Sequence, residues 1–170
     1  MKINIREAVR KDAAGILKLI RELAIYEKAP DEVEVTLEEL VNDGFEKNPA
    51  YKAFVAEVNG RIGGMALYYF KYSTWKGRSI YLDDIIVSEK YRRLGIGGKL
   101  FEEVVKTAKT KGLRKIDWQV LHWNKPAINF YKKYGSVFSS EWLNVTLYEK
   151  QLKKFKPLSP SSVVQKRKMK

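Results

Sequence analysis

The sequence predicts a mixed α/β fold built on one sheet, in which an antiparallel meander is followed by parallel strands with flanking helices. Three observations carry this. Two apolar runs, YKAFVAEV and RIGGMALYYF, are separated by Asn59-Gly60, the dipeptide best suited to a two-residue hairpin turn. SIYLDDIIV, reached through KYSTWKGR, continues them as a third strand of a meander. Beyond it, helical and strand patterns alternate, and the order strand, helix, strand implies a right-handed crossover and parallel pairing.

Taken in order, the chain opens with a strand at Ile3 to Glu7 and then a helix that Asp12 is placed to cap. Ile16, Leu17, Leu19, Ile20, Leu23 and Ala24 recur at helical spacing, so this helix has one apolar face to lay against a sheet. Pro30 and the acids Glu27, Asp31, Glu32 and Glu34 make an exposed connection. Thr36-Leu37-Glu38-Glu39 fits a capping box and opens a second helix, which Gly44 is expected to end. Gly63-Gly64, inside the second meander strand, marks a bulge or a close backbone approach. Leu100, Phe101, Val104, Val105 and Ala108 form a third helical stripe, with Gly112 at its end. KIDWQVL is a strand, PAINFYKKYG a helix with Pro126 near its start and Gly135 past its end, and Trp142 to Tyr148 a last strand. No internal repeat is present.

Composition narrows the function classes. At 170 residues and 45% hydrophobic, the chain can bury one good core, and residues 1–149 read as a single domain followed by a basic tail at 150–170. There is no cysteine and only one histidine, His122, so disulfides and thiolate or histidine metal sites are excluded, and no metal is expected. MKINIREAVRKD is unlike a secretory leader and no apolar run has the length of a membrane span, which points to a soluble, cytoplasmic protein. The net charge of +13 is concentrated at the end: eight of the 33 Lys and Arg residues lie between Lys150 and Lys170, with no acid, and the preceding chain falls to +5. KPLSPSSVVQKRKMK reads as a solvated extension. A non-catalytic module that binds nucleic acid through this tail is the rival from another class, but no aromatic-interleaved basic motif or recognition helix supports nucleic acid as a partner.

The chemistry centres on Ile80 to Phe101, where a buried strand runs through a short turn into a glycine-containing loop that opens a helix. Gly95, Gly97 and Gly98 remove side chains that would hold a ligand off the backbone, and the first helical turn leaves N–H groups without intrahelical partners. With Arg92, Arg93 and Lys99 around it, the loop is suited to a pyrophosphate. It is neither the Gly-x-x-x-x-Gly-Lys-Ser/Thr of a nucleoside-triphosphate cradle nor a Gly-x-Gly-x-x-Gly after an N-terminal strand, so phosphoryl and hydride transfer lose ground. Asp83 and Asp84 sit inside an otherwise apolar strand, where isolated charge is costly unless paired or wet. Strand alternation predicts that they point to opposite faces, so that only one serves a given site.

The Arg92-x-x-Gly95-x-Gly97 loop resembles the acetyl-CoA pyrophosphate site of the GNAT N-acetyltransferases, and the resemblance extends to about Tyr148. LAIYEK, IYLDDIIV, YRRLGIGGKL and WNKPAINFYKKYG, in this order, are similar to the spermidine/spermine and thialysine acetyltransferase branch. The resemblance implies a meander followed by splayed parallel strands, with the backbone of Ile85, Ile86 and Val87 pairing with the pantetheine arm of acetyl-CoA. Arg92, Arg93, Leu94, Gly95, Ile96, Gly97, Gly98 and Lys99 would hold the pyrophosphate. Asn124, Lys125, Pro126, Ala127 and Tyr134 would contact the rest of the cofactor, and a helix cap beside Pro126 is a compatible role for Asn124.

Tyr131 corresponds to the family's proton donor to the departing coenzyme A thiolate, a role that suits a phenol of ordinary pKa about 10. The nucleophile is an amine that must lose a proton before attack. Here the resemblance selects Asp83 as the substrate-side acid, directly or through water, where relatives usually carry glutamate. Tyr26, Glu27, Asp117, Trp118, Gln119 and Glu141 are the other implied substrate contacts and describe an acidic cleft for a slim cation. Ser73-Thr74 stand where polyamine-selective members carry an acid and a proline, which should weaken attraction for a second ammonium. The implied activity is direct acetyl transfer in a ternary complex to a small primary amine, lysine-like or polyamine, within a homodimer. Acetylation of protein or peptide amines is the second enzymatic reading.

Overall fold

The first strand cannot be understood without the buried charge beside it. In a computed structural model that describes residues 1–157, β1 (Ile3–Glu7) pairs antiparallel with β2 (Lys52–Val58), and Arg6 reaches from it to two carboxylates. Its Nη1 and Nη2 donate to Asp12 Oδ2 and Oδ1 at 2.6 and 2.9 Å, and Nη2 also donates to Glu57 Oε2 at 2.9 Å. Asp12 is therefore not the side-chain cap expected of it. Its Oδ2 accepts from the Val9 N–H at 2.8 Å, and no side-chain hydrogen bond caps the helix that follows. Burial alone would raise the Asp12 carboxyl, but the guanidinium and the Val9 N–H more than offset it and hold the group below its ordinary value.

α1 (Ala13–Tyr26) buries Ala13 and, from its expected stripe, Ile16, Leu17 and Leu19, while Ile20, Leu23 and Ala24 are partly buried. α2 (Leu37–Phe45) begins at the expected capping box, in which Glu39 N–H donates to Thr36 Oγ1 at 3.1 Å and Thr36 N–H to Glu39 Oε2 at 2.8 Å. Gly44 does not end this helix. It lies inside it, and a Cβ there would stand 2.3 Å from the Tyr51 hydroxyl, so the glycine admits a ring rather than reversing the chain.

β2, β3 (Arg61–Ser73) and β4 (Gly77–Val87) form the meander, closed between β2 and β3 by Asn59 and Gly60, both at positive φ as the two-residue turn requires. Gly63 takes both of its expected roles. The register with β2 shifts there, and a Cβ would stand 2.5 Å from the Tyr91 ring. α1 packs on one face of the sheet, against Met65, Leu67 and Ile86. α3 (Ile96–Thr110) covers the other face, burying Ile96, Leu100, Phe101, Val104 and Ala108.

β5 is shorter than its sequence suggests. Only Ile116–Asp117 pairs, parallel to Ile80–Tyr81, and among the described residues no strand adjoins that edge of β4 from Leu82 to Val87. The five strands run in the order β1-β2-β3-β4-β5.

The chain divides into two compact units, residues 1–121 and the part that begins at His122. The second carries α4 (Lys125–Lys133), capped by Asn124, whose Oδ1 accepts from the Ala127 N–H at 3.2 Å. The strand expected from Trp142 to Tyr148 does not form. A strand needs a ladder partner for its backbone, and among the described residues this segment pairs with none; Trp142, Leu143, Val145 and Leu147 are exposed. A short α5 (Glu149–Lys153) follows, and most of the basic tail lies outside the described residues.

Removing the Asp12 carboxylate leaves the Arg6 guanidinium short of a partner in a largely dry site. Asp12→Ala is expected to cost about 3 kcal/mol in urea denaturation, the low end for breaking a buried pair because Arg6 keeps some solvent. A loss under about 1 kcal/mol would show that water replaces the pair.

Candidate active site

One irregularity in β4 decides which side chains meet. Tyr68 pairs with Leu82, yet Leu67 pairs with Asp84, so the strand carries one extra residue, Asp83, at a β-bulge. Paired residues share a face, and alternation below the bulge places Ser79, Tyr81 and Asp83 on the face of Tyr69 and Lys71. Above it, Asp84 shares the face of Leu67, and Ile86 that of Met65, which is the same side. Asp83 and Asp84, adjacent in sequence, thus both stand on the side of α1. The expectation of opposite faces is corrected here, because the bulge cancels the alternation on which it rested.

The electrostatics follow from this arrangement. Burial pushes the Asp84 carboxyl up to about 7, assisted by the negative charges of Asp83 and Glu27. Burial also raises Asp83 and Glu27. The phenols of Tyr69 and Tyr81, whose ring centroids are 5.3 Å apart, are raised by burial first and by the Asp83 charge among other causes. Together they surround a set of carboxylates that ionise reluctantly and would be relieved by a cation. Among the described residues no group of three His, Cys, Asp or Glu is arranged to hold a metal ion.

Glu27 arrives at this place as the residue that ends α1, and Tyr26 beside it is tied to the glycine loop. The Arg92 guanidinium lies 5.3 Å from the Tyr26 ring centroid, and its Nε donates to the Val87 carbonyl at 3.3 Å. Arg92, expected among the pyrophosphate ligands, is therefore engaged between the end of α1 and the end of β4. The loop that follows keeps its donors. Arg93 and Gly95 adopt positive φ, and the first backbone bond of α3 runs from Lys99 N–H to the Gly95 carbonyl at 3.2 Å. The N–H groups of Ile96, Gly97 and Gly98 precede any intrahelical acceptor and are aligned with the helix dipole. Arg93, Leu94 and Lys99 are exposed around them.

The other candidates separate into two groups. Asp117 pairs with Tyr81 and shares its face, but Lys71 Nζ lies 2.7 Å from its Oδ2 and Lys115 Nζ 2.8 Å from its Oδ1. Trp118 packs edge-on against Phe101 of α3 at 5.5 Å, which turns it to the opposite side of the sheet, and Gln119 is exposed. Ser73 is occupied at the tip of the β3–β4 hairpin, where its Oγ accepts from the Trp75 and Lys76 N–H groups at 3.3 and 3.2 Å.

In the second unit, Tyr131 lies on α4 and is buried, with the Phe130 ring between it and Tyr134 at 5.2 Å from each. Lys125 and Pro126 form the first turn of that helix. Glu141 is exposed outside any element, its N–H donating to Ser139 Oγ at 3.4 Å. Two residues of the site went unread in the sequence. Asp84 was set aside by strand alternation, and Lys71 carried no signal, since a lysine in a strand near a hairpin usually faces solvent.

Residues 16–135 match the model of the acetyltransferase (GNAT) family, a span that crosses the boundary between the two units. The chain is 46% identical over 142 residues to a thialysine N-epsilon-acetyltransferase of Bos taurus, covering 79% of this chain and 84% of the relative. It is 42% identical over 152 residues to the enzyme of that name from Mus musculus, covering 83% and 89%. Among solved structures, an aminoglycoside acetyltransferase from an uncultured soil metagenomic sample superposes with a TM-score of 0.72 at 20% identity, covering 86% of this chain and 97% of the other. That likeness is one of fold.

The acid cluster is expected to cost stability, and the sign can be worked out. The folded chain holds a proton at Asp84 up to about 7, whereas the ordinary value is 3.8, so the native state binds more protons between these limits. Stability then falls as pH rises from about 4 to about 7. Asp84→Asn should raise Tm at about pH 8 by roughly 2–4 °C for each kcal/mol relieved and flatten this part of the Tm–pH curve. A lowered Tm with an unchanged slope would show that the carboxylate is satisfied where it stands.

Proposed function

The chain belongs to the GNAT acetyltransferase family, and from that premise we propose that this N-acetyltransferase passes the acetyl group of acetyl-CoA to a small primary amine, lysine-like or diamine, by direct attack in a ternary complex. The observation that carries the reading is the bulge that sets Asp83 and Asp84 on one face of β4, along the stretch whose edge lacks a strand partner.

The residues present fit the cofactor the family implies. Among the described residues no strand adjoins the edge of β4 away from β3 at Ile85, Ile86 and Val87, and although the Val87 carbonyl accepts from Arg92, this edge can accept a pantetheine arm as an added strand would be accepted. The loop from Arg93 to Gly98 offers backbone donors and positive charge for a pyrophosphate. Asn124, Lys125, Pro126, Ala127 and Tyr134 would complete the contacts, as the family resemblance implies. When bound, acetyl-CoA supplies an activated thioester carbonyl.

The chain's own residues do the rest. Glu27, Asp83 and Asp84 draw an ammonium to their face of the sheet, and the arriving positive charge lowers the cost of ionising them. A carboxylate poised near neutral pH can then take the proton from the amine nitrogen, and Asp84, raised to about 7, suits that task better than an acid of ordinary pKa. Asp83 is the alternative acceptor, directly or through water. Tyr131 is the donor to the leaving sulfur, a task for which a phenol is suited.

We also propose a homodimer. Leu143, Val145 and Leu147 alternate with Asn144 and Thr146 as a strand would, are exposed together with Trp142, and are the surface a second copy would cover. Light scattering should give twice the chain mass, and Val145→Asp should shift the population toward the monomer. Monomer mass for the unaltered chain would overturn this part.

Acetyl-CoA with a panel of diamines, polyamines and lysine analogues tests the activity through release of coenzyme A thiol. Turnover of at least one small amine is expected, and activity confined to peptides would overturn the reading. Tyr131→Phe should lower kcat by about 10²-fold or more while leaving acetyl-CoA affinity within about threefold, the range general acid catalysis supplies. Equal loss of both would remove Tyr131 from the donor role.

A further inference from the structure

At the end of β4 away from the glycine loop, the fold gathers a separate set of charges. The β3–β4 hairpin, KYSTWKGR, carries Lys71, Lys76 and Arg78 and no acid. The run KTKGLRK, which closes α3 and leads out of it, carries Lys109, Lys111, Arg114 and Lys115, again without an acid. The Phe70 ring joins the two segments: Arg78 Cζ lies 5.6 Å from its centroid and Lys111 Nζ also 5.6 Å. The neighbouring acids are taken, Glu103 by Lys106 at 3.5 Å and Asp117 by Lys71 and Lys115 at 2.7 and 2.8 Å. Among the described residues, Lys76, Arg78, Lys109, Lys111 and Arg114 are exposed and form no ion pair.

Two aromatic rings stand largely uncovered among these cations. Trp75, at the hairpin tip, is 80% exposed and Tyr72 is 75% exposed. Tyr72 pairs with Arg78 and so shares its face and that of Phe70. The backbone under Trp75 is fixed locally, since Ser73 Oγ accepts from the N–H groups of Trp75 and Lys76. The helix dipole is reason enough for lysines at the end of α3. It gives no reason for exposed rings interleaved with the cations of a hairpin. Neither segment alone has the density of a nucleic-acid motif, so none is visible in the sequence; the fold brings the two together.

We propose that this end of the sheet binds single-stranded nucleic acid, with Trp75 and Tyr72 as stacking platforms and Lys76, Arg78 and Lys111 on the phosphates. Unpaired bases present the ring faces that such platforms need, and a chain of phosphates complements cations that have no acid of their own. A duplex hides those faces, and α3 lies with its apolar side buried on the sheet rather than projecting toward a groove. A bilayer is the poorer fit. The two segments contain one aliphatic side chain, Leu113, which is half-buried and leaves little to insert. The surface is also remote from the proposed cofactor loop, because the 11 residues of β4 from Gly77 to Val87 span roughly 33 Å. The proposal therefore stands or falls independently of the acetyl transfer.

The test titrates a fluorescein-labelled oligothymidylate of about 12 nucleotides with the full chain and follows anisotropy. Binding is expected at about 50 mM salt and should weaken as salt rises. Trp75→Ala should weaken it about tenfold at every salt concentration with the slope of log K against log salt unchanged, since stacking releases no counterion. Arg78→Gln combined with Lys111→Gln should instead make that slope shallower by about 1.4, two phosphate contacts at about 0.7 each. Excess coenzyme A should leave binding by the unaltered chain within about twofold, whereas displacement would put the contact on the glycine loop and overturn the proposal. Equal affinity for a duplex of the same length, or unchanged affinity of Trp75→Ala, would leave only diffuse charge and overturn it as well. Binding to vesicles of about one-third phosphatidylserine without binding to the oligothymidylate would make the surface a membrane contact instead. The coenzyme A, duplex and vesicle comparisons use only the unaltered chain, so they decide the matter even if a variant fails to fold.

Discussion

The extra residue in β4 is the constraint on which this site depends. With regular alternation, Asp83 and Asp84 would divide between the α1 and α3 faces, and one of them would stand on the face that α3 covers, where isolated charge is costly unless paired or wet. The bulge removes that cost on one side and concentrates charge on the other. It turns two carboxylates toward one another and toward Glu27, and raises their affinity for a proton or a cation. Electrostatic strain of this kind is what a cationic substrate relieves on binding.

In the proposed function the same strand would serve the cofactor, because its other edge stops pairing early. β5 departs after Asp117, so among the described residues the backbone from Leu82 onward has a strand neighbour on the β3 side and none on the other. A strand edge with unsatisfied groups is ordinarily a liability. Here such an edge lies next to the helix that opens at Ile96, whose first N–H groups precede any intrahelical acceptor. Arg92, spanning from the Val87 carbonyl to the Tyr26 ring, joins the end of α1 that carries Glu27 to the start of the glycine loop. Acid cluster and loop are thus held by one side chain.

Much of this was legible wherever the signal was local. Thr36 and Glu39 cap α2 because the whole interaction spans four residues, and Asn59-Gly60 turns the hairpin because the demand for positive φ is met by those two residues alone. The failures share a different character. Asp12 has the residue type and position of a cap, but Arg6 and the Val9 N–H compete for its carboxylate, and only the tertiary fold brings Arg6 there. Gly44 looks like a terminator until the Tyr51 ring is seen against it. Asp84 was misplaced because LDDI contains no glycine or proline to announce a bulge; the register shift is a property of the β3–β4 pair. Residues 143–147 alternate as a strand does, yet alternation cannot supply the partner that a strand needs.

Charge shows most clearly how family pattern and individual chain divide the work. The acids Glu27 and Asp83 lie in blocks that the resemblance to polyamine and thialysine acetyltransferases rests on, and they explain attraction for an amine in general. They do not choose among amines, since every candidate substrate carries at least one ammonium. Farther along the same face, Lys71 and Lys115 take both oxygens of Asp117, so the run of acids gives way to an ion-paired group with one positive charge in excess. The order of these charges along β3 and β4 is determined by the register of the sheet.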